Sequence, residues 1–191
     1  MFKTQGLQKV KLKEVLSKLF ESRVIIILYF SFMKLTIREG IKEDLPATLE
    51  LIKELADFEN AIDQVTITLE DLEKDGFGGN PWYWFLVAEK DNEIVGLSFY
   101  WIRYSTWKGK FLFLEDFVIK EEYRKQGIGS LLFEETINIC KKQKLNGMIW
   151  QVLDWNTPAI KFYKKYNADI SKEWLNGKLS KHQINKLNTR K

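Results

Sequence analysis

Histidine and cysteine are nearly absent from this sequence, since its 191 residues include one of each, His182 and Cys140. One histidine argues against a His-based catalytic triad and against a multi-histidine metal site, so we expect no metal cofactor. One cysteine excludes an intramolecular disulfide, and the free thiol favours a reducing compartment, for which we expect the cytoplasm.

Surplus charge is also missing from most of the chain. The formal net charge is +4. Residues 1–32 contain six Lys or Arg and two Glu, so the residues from Met33 onward sum to zero. This balance gives no support for nucleic-acid binding. Apolar residues make up 45% of the chain, enough for one domain with a sizeable core.

The first 32 residues differ from the rest. Apolar residues at near-helical spacing between lysines are typical of a basic amphipathic helix, and the run RVIIILYFSF follows. That run is well short of the ~20 residues that span a bilayer, which argues against a transmembrane helix. No A-x-A-like cleavage site follows it, which argues against a signal peptide. We favour the interpretation that Met33 is the true start and that 1–32 is not translated. The alternative is a peripheral membrane anchor. The predicted domain covers 33–191.

From Met33 the pattern predicts alternating strands and helices. A strand (33–39) precedes a helix (45–58) with Pro46 near its start, and a short second helix (68–77) ends at Gly76. A hairpin (82–89 and 93–104), a long strand (109–119), a helix (127–143), a strand (147–154), a helix (157–166) and a short strand in the tail follow. This order predicts a mixed α/β sheet rather than a doubly wound one.

Two glycines stand at the start of a predicted helix, in the stretch YRKQGIGSLLF. A helix N-terminus presents unpaired N–H groups and a partial positive charge, and glycines let a phosphate approach the backbone closely. The Walker pattern is absent, and Ser130–Leu131–Leu132 lacks the third glycine of a dinucleotide fingerprint. The pattern Arg-x-x-Gly-x-Gly remains, for which a plain turn and helix cap is the other explanation.

That pattern is the pyrophosphate loop of the GNAT superfamily of N-acetyltransferases, and residues from Met33 to about Trp174 resemble its spermidine/spermine acetyltransferase subfamily. The matching stretches are LIKELADFE, DGFGGNPWY, LVAE, YSTWKG, LEDFVI, YRKQGIGS and LDWNTPAIKFYKK. YSTWKG and VLDWN are more similar to the thialysine N-epsilon-acetyltransferase branch. Ser105 stands where the polyamine-acetylating branch typically has Asp, which favours a smaller amine than spermine. The implied fold is a GNAT domain with a mixed, mostly antiparallel central sheet, flanked by helices and splayed between its fourth and fifth strands.

The resemblance implies two catalytic residues. Tyr163 would be the general acid that protonates the departing thiolate, a role that suits a phenol with a pKa of ~10. Glu115 would deprotonate the substrate ammonium through water. Without the resemblance, Tyr163 is explained as a core aromatic and Glu115 as half of a surface ion pair. Because Glu115 and Asp116 are neighbours in a strand, we expect their side chains to point to opposite faces.

Further site residues follow from the same resemblance. For the amine it implies Phe58, Glu59, Ser105, Trp107, Glu115, Ile149, Trp150, Gln151 and Glu173. For coenzyme A it implies Phe117, Val118 and Ile119 along the pantetheine arm, Arg124, Lys125, Gln126, Gly127, Ile128, Gly129 and Ser130 at the pyrophosphate, and Asn156, Thr157, Pro158 and Ala159 on the other side. Phe58 and Glu59 are otherwise a solvated helix end, and Trp107 an ordinary strand residue.

The predicted reaction is acetyl transfer from acetyl-CoA to the primary amine of a small cationic acceptor by direct attack in a ternary complex. Thialysine or a lysine-like amino acid is expected first, and a diamine or polyamine second. A protein lysine acetyltransferase and a non-catalytic acyl-CoA-binding module are less favoured hypotheses. The family implies a homodimer. No nucleic acid is expected as a partner, and no membrane unless residues 1–32 are real and act as an anchor.

Overall fold

The computed structural model describes residues 35–187, so the predictions made for residues 1–32 lie outside the described residues. The chain forms two compact units, which divide between Trp150 and Gln151. Within residues 35–187, the first unit holds a five-stranded sheet and three α-helices, and the second holds two shorter helices. No helix in residues 35–187 has the length and apolar character needed to cross a membrane.

The sheet follows chain order, β1-β2-β3-β4-β5. Its strands are β1 (Leu35–Glu39), β2 (Trp84–Lys90), β3 (Glu93–Ser105), β4 (Gly109–Ile119) and β5 (Met148–Trp150). The first four pair antiparallel, and β4 pairs parallel with β5. A mixed, mostly antiparallel sheet flanked by helices is therefore confirmed. The β4–β5 ladder covers three residue pairs and ends at Leu114 and Trp150, whereas β4 continues to Ile119.

Helices α1 (Leu45–Phe58) and α2 (Leu69–Phe77) pack on one face of the sheet. Leucines of the two helices, Tyr83 just before β2, and apolar residues of β2, β3 and β4 form the core there: Leu45, Leu49, Leu51, Leu72, Tyr83, Phe85, Val87, Leu97, Phe99 and Val118. Pro46 stands in the first turn of α1, as predicted. Thr68 caps α2, because its side chain accepts a hydrogen bond from the Asp71 N–H and Asp71 reciprocates.

An ion-pair network holds the start of α1 against the sheet. The Arg38 guanidinium donates to both carboxylate oxygens of Asp44, at 2.6 and 2.8 Å, and its Nε donates to Glu89. Asp44 also accepts from the Ile41 N–H. Burial alone would raise the pKa of Asp44, but these hydrogen bonds outweigh it and hold the pKa below its usual value.

Helix α3 (Ile128–Lys142) covers the opposite face, with Leu132, Phe133 and Thr136 fully or almost fully buried. Thr136 shares a 2.8 Å hydrogen bond with Ser98 of β3, which is also fully buried. In the second unit lie α4 (Thr157–Lys164) and α5 (Lys181–Lys186).

Several predicted boundaries need correction. Helix α2 ends at Phe77, as its predicted range did, so Gly76 lies inside the helix and does not end it. Strand β2 begins at Trp84 rather than at residue 82, and β5 stops at Trp150 rather than at residue 154. The tail strand is absent, since residues 165–187 hold only α5 as regular structure.

Candidate active site

The last turn of α1 carries two of the predicted amine-binding residues. Phe58 ends the helix with 41% of its surface exposed, and Glu59 is the C-cap residue. The Glu59 N–H still bonds to the Leu55 carbonyl at 3.0 Å, so the helical geometry holds the start of the Glu59 side chain in place. Burial raises the pKa of Glu59. The half-buried carboxylate is thus available to a cation at this helix end.

Strand β4 has a bulge at Glu115. Phe99 pairs with Asp116, and the next residue of β3, Tyr100, pairs with Leu114, so Glu115 is an extra residue without a partner of its own. The Trp101 indole N–H donates to Glu115 at 2.9 Å. Trp101 lies two residues after Phe99, so both side chains point to the same face of β3. Because Phe99 pairs with Asp116, this is also the face of Asp116.

Both carboxylates therefore lie on one face of the sheet, the face that α1 covers. The expectation that Glu115 and Asp116 point to opposite faces is wrong, because the bulge interrupts the alternation. The pKa of Asp116 is raised to about 6, mainly because the carboxyl group is buried and further because Glu115 and Glu59 add negative charge. The three residues form an acidic cluster: Glu59, Glu115 and Asp116.

The sequence interpretation missed Asp116. Two adjacent carboxylates in an extended run are normally assigned to opposite faces, and one inserted residue in a ladder leaves no mark in the hydrophobic pattern. The only signal was the pair of carboxylates itself, in the otherwise apolar stretch FLEDFVI. Nowhere in residues 35–187 do three or more His, Cys, Asp or Glu side chains form a group that could hold a metal ion.

Ser105 and Trp107 lie at the tip of the β3–β4 hairpin. The Ser105 hydroxyl accepts weak hydrogen bonds from the N–H groups of Trp107 and Lys108, at 3.3 and 3.2 Å, and so stabilises the turn. Trp107 is 84% exposed. The structure thus gives Ser105 a local role in the turn, and it leaves the indole face available for contact.

The glycine loop enters α3 through two left-handed residues, Lys125 (φ 61°) and Gly127 (φ 85°). Gly127 occupies the N-cap position, and its carbonyl accepts from the N–H groups of Ser130 and Leu131. Within the described residues, the N–H groups of Gly127, Ile128 and Gly129 have no acceptor. A Cβ at Gly127 would meet no atom within 4 Å. Free N–H groups at the start of a fifteen-residue helix fit an anion such as pyrophosphate.

The strand residues predicted to follow the pantetheine arm lie where β4 runs past the end of its ladder with β5. Phe117 contacts Phe133 of α3 edge-on, with ring centres 5.6 Å apart, and Val118 and Ile119 are buried. On the β5 side, Ile149 pairs with Phe113, and Trp150 contacts Phe133 at 5.8 Å. Because the ladder stops after three pairs, β5 offers no partner to β4 beyond Leu114.

The remaining predicted residues belong to the second unit. Asn156 caps α4, since its side chain accepts from the Ala159 N–H, and Thr157 and Pro158 form the first turn. Tyr163 is 6% exposed and contacts the Phe162 ring edge-on at 5.4 Å. Burial of Tyr163 fits both a core aromatic and a proton donor in a dry site.

Two further residues of this unit carry less information. Gln151 donates to Asn176 at 2.7 Å. Glu173 is exposed, in a stretch without helix or strand. Asn167, which follows α4, takes the left-handed conformation (φ 56°) that the sequence allowed for it.

Comparison with known proteins identifies the family. A family model described as "Acetyltransferase (GNAT) family" matches residues 49–168. The thialysine N-epsilon-acetyltransferase of Bos taurus is 41% identical over 140 residues, which cover 69% of this chain and 82% of that protein. The human spermidine/spermine N(1)-acetyltransferase-like protein 1 is 37% identical over 145 residues, which cover 72% of this chain and 21% of that protein.

Solved structures share the fold. An aminoglycoside acetyltransferase from an uncultured soil metagenomic sample superposes with a TM-score of 0.65 at 18% identity, over 76% of this chain and 95% of that one. A possible acetyltransferase from Clostridium difficile gives a TM-score of 0.61 at 24% identity, over 76% and 98%. The sheet, the glycine loop and these matches agree, and the chain belongs to the GNAT family of acetyltransferases.

Proposed function

We propose that this acetyltransferase moves the acetyl group of acetyl-CoA to a primary amine of a small cationic acceptor, with thialysine or a lysine-like amino acid as the first candidate. The observation that carries the proposal is the acidic cluster of Glu59, Glu115 and Asp116 at the bulge of β4. Glu115 is exposed, Glu59 and Asp116 are partly buried, and the negative charges of the first two already act on Asp116. Such a group of carboxylates favours a cation, because an added positive charge relieves their mutual repulsion.

The surrounding charge supports a cationic acceptor. Residues 35–77, which include α1 and α2, hold four Lys or Arg and twelve Asp or Glu, a net charge of −8. Residues 78–191 carry most of the balancing positive charge, so the excess of acid is concentrated on the segment that includes α1, whose C-cap is Glu59. Local negative charge attracts cations over distances of about a Debye length, ~10 Å at 0.1 M salt, and repels anions. An acidic acceptor would have to approach against this field.

Proton removal is the chemical task of the cluster. An alkylammonium with a pKa of ~10 must lose a proton before its nitrogen can attack the thioester carbonyl. A carboxylate of ordinary pKa is a weak base for this step. Asp116, with a pKa of about 6, is a stronger base than an exposed aspartate, and Glu115 beside it can pass the proton on through water. In this proposal Asp116 joins Glu115 as a proton acceptor.

The cofactor residues have separate tasks. Acetyl-CoA supplies the activated acetyl group as a thioester. The N–H groups of Gly127, Ile128 and Gly129 would hold its pyrophosphate, and the backbone of 117–119 would pair with the pantetheine amides as an added strand does. Tyr163 would give its phenolic proton to the sulfur when the C–S bond breaks. The homodimer and the cytoplasmic location stay predictions.

Polyamine acetylation is the second candidate, and the net charge of −8 favours it, because spermidine and spermine carry more positive charge than a lysine-like amino acid. The names of the relatives favour the first candidate: thialysine N-epsilon-acetyltransferases of Bos taurus and Mus musculus are 41% and 37% identical and are covered over 82% and 88% of their length.

A steady-state acetyl-CoA assay on the full chain tests the proposal with thialysine, lysine, putrescine, spermidine and spermine. We expect the highest kcat/KM for thialysine. Tyr163→Phe should lower kcat about 10²-fold or more, since general acid catalysis contributes roughly 10²–10⁴, and should leave coenzyme A binding intact. If a polyamine gives the highest value, the branch assignment fails. If every amine fails while coenzyme A binds, the acceptor is of another class or the protein only binds acyl-CoA.

A further inference from the structure

One guanidinium group, that of Arg124, contacts three residues on two separate segments of the first unit, the end of β4 and the last turns of α1. Its Nε donates to the Ile119 carbonyl at the end of β4, at 2.9 Å. Its Nη2 lies 3.6 Å from Oε1 of Glu54, and its Cζ lies 5.8 Å from the ring centre of Phe58. The side chain that begins the glycine loop is therefore folded back toward α1.

Glu54 and Phe58 are four residues apart on α1, so they lie on the same helix face, one turn from each other. A guanidinium suits this position because it is planar and fork-shaped. One edge donates to the Ile119 carbonyl and forms an ion pair with the Glu54 carboxylate, while the face of the guanidinium lies over the Phe58 ring. A lysine ammonium would keep the charge but lose that combination. The contacts act on the turn that ends in Phe58 and Glu59.

We propose that Arg124 is a positioning residue for the amine acceptor: it fixes the last turn of α1, and through it Phe58 and Glu59, to the loop that starts α3. The kinetic test of this proposal rests on the proposed function, because it measures acetylation of the amine. The resemblance assigned Arg124 to the pyrophosphate, but the anion site already has free N–H groups at Gly127, Ile128 and Gly129. The guanidinium couples the two halves of the site, so a disturbance of the loop reaches the amine side.

Kinetics provide the first test, on the full chain with the amine varied at saturating acetyl-CoA. Arg124→Gln should raise the KM for the amine about three- to tenfold and leave kcat within about twofold of the wild-type value. This is the size of effect expected when the contacts of one charged side chain are lost. Glu54→Gln should act in the same direction, and the double variant should be no worse than Arg124→Gln alone. Arg124→Lys should recover part of the loss, because the charge remains.

Glu50→Gln is the matched control, since Glu50 lies one turn earlier on α1 and pairs only with Lys53, at 2.8 Å, among the described residues. It removes the same charge from the same helix and should leave the KM for the amine unchanged. The proposal is overturned if Arg124→Gln leaves that KM unchanged and only weakens coenzyme A binding measured by calorimetry. Additive effects of the Arg124 and Glu54 substitutions would overturn it as well.

Hydrogen exchange provides a second test that needs no turnover. The N–H groups of Glu59, Asn60 and Ala61 donate to carbonyls within α1, at 2.8 to 3.0 Å. Arg124→Gln should speed their exchange at least about threefold, and Glu50→Gln should not. If the wild-type protein acetylates no amine but this difference appears, the proposed function fails and the positioning role stands. Unchanged exchange in folded Arg124→Gln protein refutes the positioning role.

Discussion

Replacing Asp116 by Asn should make the protein more stable at neutral and alkaline pH, although it removes a proposed catalytic group. In the fold this carboxyl group has a pKa of about 6 instead of the ordinary 3.8, because it is buried and lies near the negative charges of Glu115 and Glu59. At about 1.4 kcal/mol per pH unit, a gap of roughly two units corresponds to at most about 3 kcal/mol. Asn has nearly the same size and no charge, so it avoids this cost.

The sign follows from proton binding. Between pH ~4 and ~6 the folded state keeps a proton on Asp116 that the unfolded chain has already released, so raising the pH through this range costs stability, and the loss persists above it. The free energy of unfolding of Asp116→Asn should equal that of the wild type near pH 4. It should exceed the wild-type value by about 1–3 kcal/mol at pH 8.

Urea denaturation of both proteins between pH 4 and pH 8 measures this difference. Glu50→Gln serves as the control, because loss of an exposed ion pair should change stability by less than about 0.5 kcal/mol at every pH. A difference between Asp116→Asn and wild type that does not grow with pH would refute the reasoning, and so would a variant less stable than wild type at pH 8. The expected combination of greater stability and lower kcat/KM would mark Asp116 as a functional residue.

Other predictions concern stability. Thr48→Val should raise the free energy of unfolding by about 0.5–2 kcal/mol, because the buried Thr48 hydroxyl has no hydrogen-bond partner within the described residues. The same change at Thr136 should lower it by about 1–3 kcal/mol, since it leaves the buried Ser98 hydroxyl unpaired. Urea midpoints measure both changes in stability, and two changes of the same sign would contradict the argument. Gly40→Ala should destabilise by about 1–3 kcal/mol or more, seen as a lower Tm, because a Cβ there would lie 1.9 Å from the Phe85 ring; an unchanged Tm would show that the ring moves aside at little cost.

The regular elements could be predicted because their signals are local. Helix 45–58 and strand 109–119 have the bounds that periodicity indicated, with Pro46 at the start of the first and Gly109 at the start of the second. The hairpin turn at Asp91 and Asn92 uses two left-handed residues, the geometry that a short Asp-Asn turn favours. These choices depend on residues a few positions apart, which a single sequence displays.

The larger errors concern pairing between distant segments. Residues 151–154 could extend β5 only by pairing with β4 beyond Leu114, and that pairing does not form. The tail could form a strand only with a neighbouring strand, which it lacks within the described residues. The bulge at Glu115 follows the same logic, because it is a property of the β3–β4 register rather than of β4 alone. Of the candidate site, the positions of Phe58 and Glu59 at the end of α1 and of Gly127 at the start of α3 could be predicted, whereas the shared face of Glu115 and Asp116 could not.

Glu115 is also a residue that the sheet does not need. Without it, Leu114 and Asp116 would be adjacent and would still pair with Tyr100 and Phe99 on opposite faces, in an unbroken ladder. A single-codon insertion is thus enough to place a second carboxylate beside the first while every other residue of the strand keeps its partner. Removing the same codon is a route by which a descendant could keep this fold and lose the chemistry of the cluster.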